Sequence, residues 1–260
     1  MRTPTYTARV KRDETTPLPP PCAQCPLRRS GAFLPVTAAE RDFIQDFRSN
    51  TLRVGAGKQI VREQAVTRRM FTLFSGWAFR FKTLSDGRRQ ILNFVLPGDM
   101  FGLQQQFADG ATYGVEALTD VALCVFPSNH LWDLYRVHPK VGYEVTWLSA
   151  REENMLDENL LTTGRRNAME RVAMLLIHLF KRAQRVGLVH EDNSLAFPLT
   201  QQHVSDALGL SLVHTNRTLR KLHQLGLHEI KDGRLHLLNS RALRRLADYA
   251  DHPLQQVPLL

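Results

Sequence analysis

Long apolar runs are missing from this chain. No segment approaches the roughly 20 residues that span a bilayer, and the polar, proline-rich start has no apolar signal core, so a cytoplasmic protein with no membrane association is expected. Cysteine is scarce too. Three cysteines in 260 residues do not build a secreted disulfide framework, which leaves free, metal-bound or redox-active thiols. Neither HExxH nor GxSxG occurs, and the ten histidines are scattered with no nucleophile and partners near them in sequence. No enzyme is expected. Acidic charge is also in deficit, with 25 Asp+Glu against 34 Lys+Arg. The imbalance is local: from Arg165 onward there are 14 Lys+Arg against 8 Asp+Glu, while the rest is nearly balanced. An excess confined to one end suggests a polyanionic partner there.

The same end carries the most informative stretch, Leu199 to Leu222, LTQQHVSDALGLSLVHTNRTLRKL. Thr200 is a plausible N-cap, and Val204, Ala207 and Leu208 recur on one helical face. Gly209 permits a tight turn, after which Ser211 can cap a second helix. In that helix Thr215, Leu219 and Leu222 can face inward, leaving Val213, His214, Asn216, Arg217, Arg220 and Lys221 outward. Arginine offers forked donors to guanine O6 and N7, and asparagine can pair with adenine, so this face has base-reading chemistry for double-stranded DNA. A surface hairpin with merely solvated charges is the competing reading. His228 to Leu238, HEIKDGRLHLL, weighs against it, because two short runs flank Asp232-Gly233, a dipeptide suited to a two-residue turn. A helix-turn-helix followed by a hairpin reads as a winged helix.

Upstream, residues 1 to 21 hold five prolines among polar residues and read as a mobile tail. Thr37 and Glu40 form a capping box for a short helix with Phe43, Ile44 and Phe47 on its apolar face. From Thr51 to Pro127 short β-like runs alternate with turns at Ser85-Asp86-Gly87 and Leu96-Pro97-Gly98-Asp99, suggesting a barrel or roll. Beyond Pro139, Val141, Val145, Leu148, Glu152, Met155 and Asn159 alternate at spacings of four and three. That spacing fits a dimerisation seam or a helix packed on its own roll. Thr162-Thr163-Gly164 reads as a hinge, and Ser240 as the cap of a last helix. The fold class is therefore α+β. Its expected divisions are a tail and cysteine segment (1–36), a β-roll sensor (37–137), a dimerisation helix (138–163), a winged helix-turn-helix (164–239) and a final helix and tail (240–260).

In that order of parts, and in Leu96-Pro97-Gly98-Asp99, Glu116-Ala117-Leu118-Thr119-Asp120 and Gly209-Leu210-Ser211, the chain resembles the Crp/Fnr superfamily of bacterial transcription regulators. The resemblance implies a homodimer on near-palindromic promoter sites, a signal sensed in a cyclic-nucleotide-binding-like roll, and RNA polymerase as a partner. It also implies DNA contacts from Ser211, Val213, His214, Asn216, Arg217, Arg220 and Lys221. Where cyclic-AMP-binding members hold ribose and phosphate with Glu and Arg, this chain has Leu103 and Thr112 or Tyr113, which argues against a cyclic nucleotide. Val213 replaces a Glu that accepts from cytosine, so an altered half-site is expected.

Cys22, Cys25 and Cys124 resemble the cluster-binding cysteines of the oxygen-sensing fumarate and nitrate regulator branch, but a fourth cysteine expected near Gly31 is absent. An iron-sulfur cluster with a non-cysteine ligand, a zinc site, a Cys22–Cys25 disulfide and an inactive remnant all remain open. A metal- or ligand-binding sensor whose basic domain docks an acidic protein is the alternative function.

Overall fold

Capping chemistry sets the first elements. Thr37 Oγ1 accepts from the Glu40 amide and the Glu40 carboxylate accepts from the Thr37 amide, the reciprocal pair expected from the sequence. This starts a helix at Ala38–Phe47. The computed structural model describes residues 17–106, 110–250 and 255–260. Most of the expected mobile tail, and Pro253, lie outside the described residues. Helices are α1 (Pro26–Arg29), α2 (Ala38–Phe47), α3 (Leu131–Val137), α4 (Pro139–Arg165), α5 (Ala168–Arg185), α6 (Gln201–Leu208), α7 (Leu212–Gln224) and α8 (Ser240–Ala247). The chain divides into two units that part within α4 between Asp157 and Glu158; the described residues 255–260 belong to the first, and the short stretch Arg89–Ile91 groups with the second.

The first unit is a β-roll. Its strands are β1 (Asn50–Val54), β2 (Gln59–Val61), β3 (Arg69–Ser75), β4 (Ala78–Thr83), β5 (Arg89–Val95), β6 (Met100–Phe101), β7 (Gly114–Ala117) and β8 (Val121–Pro127). Among the described residues they form two antiparallel sheets in the orders β1-β8-β3-β6 and β2-β7-β4-β5. Pairing of Phe71 with Val125 and Leu73 with Leu123 puts apolar side chains into one core with Val95, Phe101, Tyr113 and Val115. At the Leu96–Asp99 corner Gly98 has φ +91°, and a Cβ there would lie 2.3 Å from Phe33 Cζ. Only glycine fits both demands.

The long helix packs on its own roll. Val141, Val145 and Leu148 join Ile44, Met70, Phe126, Leu131 and Leu134 in a second apolar cluster, and Met155 is buried as well. Of the two readings of that spacing, Val141, Val145 and Leu148 take the contact with the roll. The opposite face of α4 carries Tyr143, Ala150, Asn154, Asp157 and Leu161, with Tyr143 and Leu161 exposed, while Trp147 is half-buried and packs against the roll cluster. The expected hinge is corrected. Helix α4 runs through Thr162, Thr163 and Gly164 to Arg165, with Thr163 Oγ1 bonded back to the Asn159 carbonyl (2.9 Å). The break comes at Arg166–Asn167, where Asn167 caps α5.

The second unit is built on α5. Val172, Ala173, Leu176, Ile177, Leu179 and Phe180 form its buried face. Strands β9 (Ser194–Ala196), β10 (Glu229–Lys231) and β11 (Arg234–His236) form an antiparallel sheet in the order β10-β11-β9. Strand β9 is too short to show in the sequence pattern. Asn239, not Ser240, caps α8, its side-chain Oδ1 accepting from the Ala242 amide (3.0 Å). Residues 255–260 return to the first unit: Val257 exchanges backbone hydrogen bonds with Ala32 and Leu34, and Val257, Leu259 and Leu260 are buried. Among the described residues, no helix is long and apolar enough to cross a membrane.

Candidate nucleic-acid interface

The helix pair of the second unit is positioned by local bonds and one long tether. Thr200 Oγ1 accepts from the His203 amide (3.2 Å), and His203 Nδ1 accepts from the Thr200 amide (3.1 Å), so α6 starts on a reciprocal cap. Gly209 ends it with φ +61°, its N–H and that of Leu210 both reaching the Ser205 carbonyl. Arg171 of α5 donates to the Leu208 carbonyl (3.0 Å), fixing where the turn begins. Ser211 Oγ then accepts from the His214 amide (3.2 Å) and starts α7.

Helix α7 turns Thr215, Thr218 and Leu222 into the unit, with Leu219 half-buried. Thr218 was not expected there. A threonine reads as polar in sequence, but its hydroxyl is satisfied by the His214 carbonyl (2.8 Å), which lets the side chain go inward. Outward lie Val213, His214, Arg217, Arg220 and Lys221, all exposed. Asn216 departs from this set: it is half-buried, and its Oδ1 is shielded without a hydrogen-bond partner. The helix contains no Asp or Glu, so its outer face is cationic along its length.

The wing forms around Asp232 (φ +49°) and Gly233 (φ +74°), the two positive angles of a type I′ turn. Arg234 is engaged inside the sheet, donating to Ser194 Oγ (2.7 Å), while Lys231 is exposed next to the turn. Lys231 is a phosphate-contact candidate that the helix-centred sequence reading missed; a lysine flanking the Asp-Gly turn was the available signal. At the root of the wing His228 is buried and its imidazole is pushed down to about 4, by burial first and by neighbouring His223 second. His223 Nδ1 lies 3.0 Å from the His228 carbonyl.

In the roll the three cysteines converge although two of them are a hundred residues from the third. Cys22 is buried, Cys25 is half-exposed, Cys124 lies on β8, and all three thiols are free. Arg48 stands among them. Its Nη1 donates to the Pro20 carbonyl (3.0 Å) and lies 3.8 Å from Cys124 Sγ; its Nη2 donates to Gln45 Oε1, which also accepts from the Cys22 amide. Burial pushes the Cys124 thiol up, Arg48 draws it down, and nearby Cys22 and Cys25 raise it further. This donor set does not fit an iron-sulfur cubane: it has three thiols, a guanidinium beside one of them, and no group of three His, Cys, Asp or Glu arranged to hold a metal ion among the described residues. The positions compared with a cyclic-nucleotide site do not fit that ligand either. Leu103 is apolar, and Tyr113 is buried with its hydroxyl donating to Gln104 Oε1 (2.9 Å) and accepting from the Gly102 amide (3.0 Å).

Comparison with known proteins agrees with this architecture. Residues 51–138 match the cyclic nucleotide-binding domain family, and residues 170–246 match the Crp-like helix-turn-helix domain family. The nitrogen fixation regulation protein FixK of Azorhizobium caulinodans is 31% identical over 189 residues, covering 72% of this chain and 75% of the relative. The transcriptional activator protein FnrL of Cereibacter sphaeroides is 26% identical over 235 residues, covering 88% and 92%. Among solved structures, FixK2 from Bradyrhizobium japonicum superposes with a TM-score of 0.69 at 27% identity, covering 76% of this chain and 96% of that one.

Proposed function

Since the chain belongs to the Crp/Fnr family of DNA-binding transcription regulators, which are not enzymes, we propose that it reads near-palindromic promoter sites as a homodimer under control of a signal sensed in its N-terminal half. The carrying observation is the exposed row Val213, His214, Arg217, Arg220 and Lys221 on a helix without carboxylates, presented by a winged fold. In this reading Arg217 addresses a guanine, Val213 and His214 tune the half-site, and Arg220, Lys221 and Lys231 take phosphates. Asn216 reads a base only if its amide turns outward. Residues 37–137 serve as sensor and residues 164–239 as reader.

The dimer forms along the free face of α4, through Tyr143, Ala150, Asn154, Asp157 and Leu161, since the other face is occupied by the roll. A two-fold protein on a two-fold site doubles the contacts. The gathering of Cys22, Cys25 and Cys124 around Arg48 supports an oxidant or redox signal over a cyclic nucleotide. FnrL is named a transcriptional activator, which supports RNA polymerase as the protein partner and action in the cytoplasm.

Selection of duplexes from a random-sequence pool tests the reading. It should return a two-fold symmetric site with half-sites about 10 bp apart, bound with an affinity that falls steeply as salt rises. Recovery of no preferred sequence would sink it and leave the basic unit as a docking surface for an acidic protein.

A further inference from the structure

A buried cation sits in the roll where α4 crosses it. Strand β4 turns Arg80 inward, leaving it 3% exposed. A guanidinium so far from water requires an anion, because desolvating an unpaired charge is costly. Its partner is Glu152 of α4, whose carboxylate accepts from Arg80 Nη1 and from Asn93 Nδ2 of β5 (3.2 and 3.4 Å). The guanidinium carbon stands 4.0 Å from the centroid of the Tyr113 ring. Two polar atoms of the same site, Arg80 Nε and Asn93 Oδ1, are buried without partners, and Asn93 is 6% exposed. The site thus offers a cation backed by an aromatic face and an amide donor, with the guanidinium and the amide both turned toward one carboxylate.

We propose that Glu152 is a built-in anionic ligand of the roll: α4 inserts its carboxylate onto Arg80 and Asn93, locking helix and roll together without an exogenous anion. The Arg80 site is accordingly a carboxylate site, and a small carboxylate is the class of molecule it accepts once Glu152 is removed. In the sequence Glu152 passed for a polar position in a dimer seam. Its neighbour Arg151 adds a second anchor from the same turn, donating to Asp99 Oδ1 of the Leu96–Asp99 corner (3.2 Å). None of this depends on the DNA sequence that the second unit reads.

The test uses the full chain carrying Glu152→Ala, followed by thermal unfolding and hydrogen exchange along α4. Stranding Arg80 should lower the melting temperature of the roll by roughly 10 °C and strip protection from the amides around Leu148–Met155. Millimolar sodium formate should restore much of both, while chloride at the same ionic strength should not. The double variant Arg80→Leu/Glu152→Ala, with no stranded cation, should melt above the single variant and ignore formate. Unchanged melting and protection in Glu152→Ala would overturn the proposal, as would equal formate rescue in single and double variants. Should Glu152→Ala not be recovered folded, it is refolded with and without formate: formate-dependent recovery supports the proposal, and failure in both overturns it.

Discussion

Arg48 Nη1 lies 3.8 Å from Cys124 Sγ, and its Nη2 shares Gln45 Oε1 with the Cys22 amide. One cation thereby joins the N-terminal cysteine segment to β8 and occupies space beside a thiol that a metal centre would need. Protein purified without oxygen is expected to contain iron, zinc and sulfide well below one equivalent per chain. Alkylation under native conditions should modify half-exposed Cys25 before buried Cys22 and before Cys124, whose thiol is pushed up by burial, as read by peptide mass spectrometry. Stoichiometric iron with matching sulfide would contradict the Arg48 argument.

Arg217 and Lys221 lie one helical turn apart on the exposed face of α7 but should behave differently on substitution. Arg217→Ala should cost about 1 to 3 kcal/mol on the selected site and relax discrimination at one base pair. Lys221→Ala should weaken selected and random duplexes alike and reduce the salt slope by about 1. Equilibrium titration of both variants at several salt concentrations checks this. Unchanged binding by Arg217→Ala would show that α7 does not read bases.

Features set by neighbours in sequence were legible before the structure. Thr37 with Glu40, Ser211 as a cap and Asp232-Gly233 as a wing turn each depend on a few adjacent residues. What escaped depends on distant partners. A spacing of four and three marks an apolar stripe but not what covers it, so Val141, Val145 and Leu148 read equally well as a seam between chains or as the helix's contact with its own roll. Arg80, on a strand, gave no sign of meeting Glu152 seventy-two residues later. Cys22 and Cys124 were linked only through the family resemblance, and nothing local pointed to Arg48 between them.

Two glycines in the left-handed region should respond unequally to alanine. Gly209 has φ +61° and no crowding closer than 4.0 Å, so Gly209→Ala should cost about 1 kcal/mol of backbone strain in the second unit. At Gly98 the strain is joined by a clash, because the new Cβ would lie 2.3 Å from Phe33 Cζ, and roughly 3 kcal/mol or more should be lost from the roll. Denaturant unfolding followed separately for the two units distinguishes them. Equal losses would mean that the Phe33 ring moves aside freely.

Acid should destabilise the second unit through His228. Its folded-state value of about 4 lies below the ordinary 6.5, so the unfolded chain binds the extra proton over that interval. Stability from this group is complete above pH 6.5 and is lost as pH falls toward 4, amounting to roughly 3 kcal/mol at the acid end. The difference in unfolding free energy between the wild type and His228→Leu, measured from pH 7 to pH 4, isolates the effect from the other histidines. A pH-independent difference would place His228 in contact with water.

The two faces of α4 should separate dimerisation from folding. Leu161 is 46% exposed and Tyr143 68%, whereas Val145 is fully buried against the roll. Replacing Leu161 with Arg puts a charge into the proposed seam without touching the roll core, so sedimentation should show dimer dissociation strengthened by roughly 10-fold or more, with the melting of the roll unchanged. Val145→Arg should instead disrupt the cluster around Phe126 and Leu134 and unfold the roll, since a charge there has no partner. If Leu161→Arg left the dimer intact, another surface would have to join the protomers, and the face from Tyr143 through Ala150, Asn154 and Asp157 to Leu161 would be solvent-facing.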